Sequence, residues 1–328
     1  MKTLSPLPWQ QDVWNHVVTQ SRTNRLAHAF LLKGMQGLGK MHFAKVLAHW
    51  LLCESSGDLP CNICKGCLLV QAGSHPDLLV IEPEETTRVI KIDQVRKLNT
   101  FAQKTAQQGG HRIIVISPAE TMNINASNAL LKSLEEPGAK TLFLLVSHRT
   151  GDLLPTVRSR CQTLTFPVPS HVIAVPWLQE KINDPAPVEL LLRLAAGSPF
   201  QALLMAENNV LEQRDELIQS ISALFRGERT VVELARKWKG KDCVQMLTWL
   251  SSWLEDIIRF SMAHDPQHIH NYDAVKLVQY FAYKTEPRQV LELRGWLLNC
   301  QHLITNGVSL NPQLVVEGVF CRLLSWVM

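Results

Sequence analysis

A glycine-rich loop constrains the fold of this chain more than any other sequence feature. Residues 34–41 read GMQGLGKM and match the pattern G-x-x-x-x-G-K. In such a loop the glycines let backbone N–H groups surround phosphate oxygens at a helix N-terminus, and the lysine reaches the β and γ phosphates. An apolar run at 27–32 precedes the loop and a helical apolar pattern at 41–52 follows it. The sequence therefore predicts an α/β domain whose candidate nucleotide contacts are Gly34, Gly37, Gly39 and Lys40.

Four more apolar runs have the length of buried strands. Helical patterns lie between the successive runs up to the strand at 141–147. Near-continuous apolar strands alternating with helices are typical of a parallel sheet covered on both faces. From residue 188 onward no strand pattern is evident, and apolar residues recur at helical spacing. We expect strands at 27–32, 78–81, 112–117, 141–147 and 161–166, helices at 41–52, 92–106 and 125–134, and a helical bundle from about 210 onward.

Composition and charge exclude some classes of protein. Of the 328 residues, 46% are hydrophobic and 19% are charged. This is the composition of a globular chain, and it excludes a disordered or fibrous one. The net charge of +4 is too small to indicate nucleic-acid binding by itself. No signal-peptide pattern and no apolar run of about 18 residues is present, so we expect a soluble, cytoplasmic protein.

The predicted nucleotide site lacks parts that hydrolysis needs. Position 41 should carry a hydroxyl for Mg²⁺, but Met41 offers a thioether, a poor ligand for a hard cation. Ser117 and Pro118 stand where acidic residues at the end of the third strand would hold metal and water. Glu120 lies too far along the chain to replace them unless the loop is changed. We therefore predict a degenerate loop with weak or absent nucleotide binding; the alternative is a working ATPase.

Four cysteines follow the first predicted helix with the spacing of a metal site. The pattern C-x7-C-x2-C-x2-C places four thiols within a short segment, and zinc prefers four such soft ligands in a tetrahedron. An iron–sulfur cluster is the second choice of metal, because C-x2-C-x2-C also resembles half of a ferredoxin pattern. Four reduced cysteines in a surface loop remain a further alternative. With every coordination position filled by thiolate the site would be structural, with the ligands Cys53, Cys61, Cys64 and Cys67.

Arg160 is the candidate catalytic residue. It follows a short predicted helix and precedes the last strand in the sequence SRC, which places it near the edge of the domain. A guanidinium there can reach the γ-phosphate held by a neighbouring subunit and stabilise its charge as an arginine finger. The alternative is an ordinary surface salt bridge.

Several of these motifs together resemble one family. The loop GMQGLGKM, the CxxCxxC segment, AETMNINASNALLKSLEEP and SRC are similar to the delta-prime family of bacterial DNA polymerase III clamp-loader subunits. The resemblance covers residues 1 to about 170, and the layout of the rest is similar. It implies an AAA+ P-loop domain at 1–168 with a zinc-binding insertion at about 53–67, a helical lid at 169–208 and an all-α collar domain at 209–328.

The resemblance also implies a function. Members of the family do not hydrolyse ATP, and their SRC arginine completes the ATP site of the neighbouring gamma/tau motor subunit, a role that passes to Arg160. The family's zinc cysteines correspond to the four cysteines above. Its partners are the gamma/tau and delta subunits and, through the complex, the sliding clamp and primer-template DNA, with no membrane. The chain is then a non-catalytic component of a DNA-directed DNA polymerase holoenzyme, which is a nucleotidyltransferase.

Two further details bear on this prediction. Active relatives carry a sensor arginine in the context G-S-P-R, where this chain has Phe200. Lys40 is retained, although many members of the family have lost it. The main alternative is an ATP-hydrolysing motor subunit, against which Met41, Ser117 and Phe200 all speak. A zinc knuckle that binds nucleic acid directly is the third possibility, but Lys65 is the one basic residue between the outer cysteines, and no aromatic residue is available there for stacking.

Overall fold

The structure is a computed structural model that describes residues 4–55, 57–84, 87–108, 110–182, 187–305 and 308–326. Contacts divide the chain into two compact units, residues 1–180 with 197–201 and residues 181–196 with 202–328. The three-domain division expected from the sequence stays a prediction.

The first unit alternates strands and helices, as the sequence predicts. Each predicted strand is present, and most bounds agree within a few residues; the helix expected at 92–106 ends earlier, at Ala102. The elements are α1 (Gln11–Arg22), β1 (Ala29–Lys33), α2 (Lys40–Leu51), α3 (Lys65–Gln71), β2 (Leu78–Ile81), α4 (Ile92–Ala102), β3 (Arg112–Ile116), α5 (Ile124–Glu135), β4 (Thr141–Ser147), α6 (Pro155–Arg158), β5 (Gln162–Thr165) and α7 (His171–Gln179).

The five strands form one parallel sheet in the order β2-β3-β4-β1-β5. Successive side chains of a strand point to opposite faces, and here both faces are buried. Phe30 and Leu32 of β1 join the apolar core that contains α2 residues, whereas Ala29 and Leu31 join the core that contains α4 and α5 residues. This arrangement confirms the predicted parallel sheet, and its order brings the ends of β1, β3 and β4 side by side.

The remaining helices follow the sheet in the sequence. Apolar residues of α10 to α15 form one continuous core in the second unit, which confirms the predicted helical bundle. The elements are α8 (Val188–Leu194), α9 (Pro199–Glu207), α10 (Val210–Phe225), α11 (Val231–Trp238), α12 (Cys243–Ala263), α13 (Val275–Lys284), α14 (Pro287–Thr305) and α15 (Pro312–Leu324).

Among the described residues, no single helix combines the length and the apolar composition that crossing a membrane requires. One bent pair, α8 with α9, passes a test of length and composition alone.

A buried ion pair fastens the loop that leads into β3. Asp77 and Arg112 are both buried, and Arg112 Nη2 lies 3.1 Å from Asp77 Oδ1. The carboxylate also accepts the backbone N–H of Gln107 at 2.9 Å, and Arg112 Nη1 donates to the carbonyl of Phe101 at 2.7 Å. Both charges therefore have several partners, as buried charges require.

Replacing Asp77 by alanine is expected to destabilise the first unit by about 3–5 kcal/mol, because it leaves the Arg112 guanidinium buried without its counter-ion. Urea-induced unfolding measures this loss. Asp93→Ala is the matched control, since it removes an exposed pair with Arg96 and should cost less than about 1 kcal/mol. Equal midpoints for the two variants would contradict the prediction.

Candidate functional site

The glycine-rich loop joins β1 to α2 in a conformation that depends on glycine. Gly37 has φ 79° and Gly39 has φ 76°, which lie in the left-handed region. A Cβ at Gly37 would lie 2.3 Å from Ser198 Oγ, so glycine also makes room for that side chain. Ser198 Oγ in turn donates a hydrogen bond to the carbonyl of Gln36 at 2.8 Å.

Residues from both ends of the first unit hold the same loop by its carbonyl groups. Trp9 Nε1 and Gln10 Nε2 donate to the carbonyl of Leu38 at 3.0 and 3.1 Å. The backbone N–H of Phe200 donates to the carbonyl of Gly37 at 3.0 Å. Phe200 therefore contacts the loop through its backbone, although it lacks the guanidinium expected of a sensor residue.

Lys40 begins α2 and its side chain turns back onto the loop. Its Nζ donates to the carbonyls of Gly34 at 2.6 Å and Met35 at 2.5 Å. Burial lowers the pKa of Lys40 to about 8, and the negative charge of Glu120 partly offsets that effect. Two of the three N–H donors of the ammonium group thus bind carbonyls of its own loop.

Three residues belong to the metal side of the predicted nucleotide site, namely Met41, Ser117 and Glu120. Met41 and Ser117 stand where predicted, at the start of α2 and after the end of β3. Glu120 lies beyond β3 in a 3₁₀ turn at Ala119–Thr121. Glu120 lies close enough to Lys40 to raise its pKa, and its Oε1 accepts the backbone N–H of His148 at 2.9 Å.

His148, directly after β4, completes this small charged group. Burial lowers the pKa of His148, and the positive charge of Lys40 lowers it further. The ring therefore favours the neutral form beside Lys40 and Glu120. One carboxylate, one buried ammonium and one imidazole lie together at the loop, but a hydroxyl for Mg²⁺ at position 41 is missing.

Arg160 lies two residues beyond the end of α6. Its side chain is one-third exposed and forms an ion pair with Glu135, the last residue of α5. Its Nη1 also donates to the carbonyl of Thr156 at 2.9 Å. Arg160 thus lies outside the apolar core of the sheet and is partly exposed to solvent.

The structure brings the four predicted metal ligands together. The sulfur atoms of Cys53, Cys61, Cys64 and Cys67 all lie within 4.8 Å of one another. Cys61 Sγ is 3.8 Å from Cys67 Sγ, and Cys64 Sγ is 3.9 Å from Cys53 Sγ. A tetrahedron with metal–sulfur bonds of about 2.3 Å has edges of about 3.8 Å. The cluster therefore fits a four-coordinate metal ion.

Backbone N–H groups around the cluster favour thiolates. The N–H of Cys61 points to Cys53 Sγ at 3.3 Å, and the N–H of Cys64 points to Cys61 Sγ at 3.4 Å. The backbone N–H groups of Ile63 and Cys64 lower the pKa of Cys61 to about 6, whereas burial raises the pKa of Cys67. A bound cation would deprotonate Cys67 as well, since a coordinating thiol loses its proton.

Sequence reasoning missed Glu135 and His148 as parts of these sites. Glu135 belongs to the segment SLEEP, which the sequence identified as a family signature but not as a contact of Arg160. His148 follows a predicted strand directly, and a polar residue at the carboxyl end of a central parallel strand is a signal that could have found it.

Comparison with known proteins places these residues in a family. A model of the DNA polymerase III delta subunit matches residues 9–170, and a model of its C-terminal region matches residues 208–326. The DNA polymerase III subunit delta' of Pseudomonas aeruginosa is 38% identical over 96% of both chains. That of Yersinia pestis is 33% identical, over 97% of this chain and 94% of its own length, and that of Escherichia coli is 28% identical over 96% and 94%.

Solved structures with a similar backbone are more distant. A DNA polymerase III gamma subunit-related protein of Thermotoga maritima is 18% identical, has a TM-score of 0.45, and covers 97% of this chain and 100% of its own. The Holliday junction branch migration motor RuvB of the same organism is 13% identical, has a TM-score of 0.41, and covers 60% and 59%.

Proposed function

The chain belongs to the family of DNA polymerase III delta-prime subunits, and we propose that it serves the clamp loader without hydrolysing ATP itself. In this proposal it supplies Arg160 as an arginine finger to the ATP site of a neighbouring gamma/tau motor subunit. Hydrolysis there accompanies loading of the sliding clamp onto primed DNA. The delta subunit is a further partner in the same complex.

One observation carries the non-catalytic part of the proposal. The ammonium group of Lys40 is bound to the carbonyls of Gly34 and Met35, and the next residue is Met41. A phosphate loop needs both a lysine free to bind phosphate and a hydroxyl for Mg²⁺. Here two of the three donors of Lys40 are held by carbonyls of its own loop, and the hydroxyl is replaced by a thioether.

The arginine-finger part is supported by position and chemistry. Arg160 is near solvent, outside the apolar core, at the end of a short helix that Val157 anchors. A guanidinium cannot lose its proton and presents forked N–H donors that match phosphate oxygens. Both properties suit stabilisation of a phosphoryl group in another subunit.

We propose zinc as the metal of the cysteine cluster, in a structural role. Four sulfur ligands at tetrahedral spacing leave no open position for a substrate. When bound, the ion would cross-link the segment that carries the cysteines.

A second candidate function is ATP hydrolysis by this chain. The observation in its favour is that Lys40 is retained and that the carboxylate of Glu120 lies near it. In that case Glu120 would have to replace the acidic residues missing at Ser117 and Pro118.

Turnover by the purified chain separates the two candidates. We expect no ATP hydrolysis above that of Lys40→Ala, with magnesium present and at high protein concentration. Lys45→Ala removes an exposed lysine from the same helix and serves as the control. Turnover that disappears in Lys40→Ala but persists in Lys45→Ala would establish the motor function and contradict the proposal.

A further inference from the structure

The guanidinium of Arg160 is held within its own subunit. Its Nε donates to Glu135 Oε1 at 2.8 Å, and its Nη2 pairs with the same oxygen. Its Nη1 donates to the carbonyl of Thr156 at 2.9 Å and approaches Ser159 Oγ at 3.4 Å. Because arginine has five N–H donors, these four contacts leave one N–H of Nη2 without a contact among the described residues.

This arrangement occupies the edge that would recognise a phosphate. Carboxylates and phosphates both bind a guanidinium through two neighbouring N–H groups. Glu135 holds the edge formed by Nε and Nη2, while Thr156 holds Nη1. A phosphate can therefore take a forked pair of donors from Arg160 only if Glu135, Thr156 or Ser159 gives up its contact.

Apolar packing anchors the two segments that carry Glu135 and Arg160. Leu134, next to Glu135, and Val157, near Arg160, belong to the same apolar core on one face of the sheet. The carboxylate is thus presented to the arginine by the core packing of α5 against α6. Glu136, the next residue, makes no ion pair with Arg160 in the described structure.

We propose that Glu135 is a positioning residue that restrains Arg160 in the isolated subunit and releases it when the guanidinium meets the phosphates of a neighbour's nucleotide. This inference rests on the proposed arginine-finger function. The restraint is weak, since the side chains of Arg160 and Glu135 are 33% and 50% exposed and water screens the pair. Exposed pairs of this kind change an equilibrium by at most about fivefold.

The restraint can be measured on the chain alone by the reactivity of Arg160. Phenylglyoxal modifies accessible arginine side chains, and peptide mass spectrometry reports the rate at each residue. In Glu135→Gln we expect Arg160 to react about two- to fivefold faster than in the unaltered chain. Glu136→Gln makes the same charge change one residue away and should leave the rate unchanged; equal rates in all three chains would overturn the restraint.

The assembled clamp loader tests the consequence for hydrolysis. With clamp and primed DNA present, Glu135→Gln should raise kcat at the adjoining site by about two- to fivefold without changing KM, since an arginine finger acts on the transition state. Glu135→Asp keeps the carboxylate on a side chain that is one methylene shorter. Its kcat should lie between those of Glu135→Gln and the unaltered chain. A purely structural role for Glu135 would instead lower kcat together with the thermal midpoint, and that result would overturn the inference.

Arg160→Ala distinguishes failure of the inference from failure of the proposed function. If Arg160→Ala slows hydrolysis but Glu135→Gln leaves it unchanged, Arg160 is a finger and the restraint is wrong. If Arg160→Ala has no effect, the proposed function fails and the inference fails with it.

Discussion

Replacing Arg160 by alanine is expected to slow ATP hydrolysis at the adjoining site of the assembled clamp loader by about 10³- to 10⁵-fold. The guanidinium supplies a fixed positive charge where negative charge develops on the phosphoryl group, and water replaces it poorly. The burst of hydrolysis that follows addition of clamp and primed DNA to the ATP-loaded complex measures the effect. Its amplitude should fall by the contribution of one site.

The fold should survive this change. Arg160 is partly exposed and loses one surface ion pair, so the expected cost in unfolding free energy is at most about 1 kcal/mol. Arg158→Ala is the matched control, because Arg158 is an exposed arginine of the same segment whose Nη1 bonds to the carbonyl of Thr150. An undiminished burst in Arg160→Ala, or an equal loss in Arg158→Ala, would remove the arginine-finger assignment.

Loss of the metal is expected to unfold the cysteine segment. Apparent binding free energies of structural zinc are about 10–16 kcal/mol in small zinc domains. A bound zinc ion would therefore be the main source of stability for the cysteine segment. Apolar packing cannot take over, since Leu59, Ile63 and Leu68 of the same segment are exposed. Chelation should therefore open this segment to proteases, while the sheet, whose cores lie elsewhere, keeps its unfolding midpoint within a few degrees.

Metal content and proteolysis together test this expectation. The unaltered chain should carry a single zinc ion, and Cys64→Ser should lose it and become cleavable between Cys53 and Cys67. Cys321→Ser removes an exposed thiol outside the cluster and should change neither result. Absence of zinc from the freshly purified chain, or a different metal in its place, would contradict the proposal.

Local patterns in the sequence were sufficient for much of the fold. The strand at 141–147 was predicted with the bounds that the structure shows, because residues 142–146 are all apolar, as in a parallel strand buried on both faces. The helix expected at 92–106 ends at Ala102 instead. Thr105 and the residues after it form the loop that the Asp77–Arg112 pair fastens, and periodicity does not record such a contact.

Of the candidate sites, one could be predicted from local sequence patterns and the other could not. The cysteine cluster could be predicted because its ligands lie close together in sequence and their spacing limits the geometry. The state of Lys40 could not, since the loop around it is held by Gln10 and by Ser198, which is 162 residues from the carbonyl it binds. Nothing in the loop's own residues indicates that the lysine turns back onto Gly34.

The sequence by itself determined the parallel sheet, the phosphate-loop pattern and the missing magnesium hydroxyl, and it supplied the candidate metal ligands and Arg160 as the candidate finger. Each depends on residue type and on spacing over a few turns or strands. Only the tertiary structure decided that Glu120 approaches Lys40 and that Glu135 holds Arg160, 25 residues further along the chain. Those contacts form where separate elements are packed together by a common core, and short-range patterns carry no information about which surface side chains meet there.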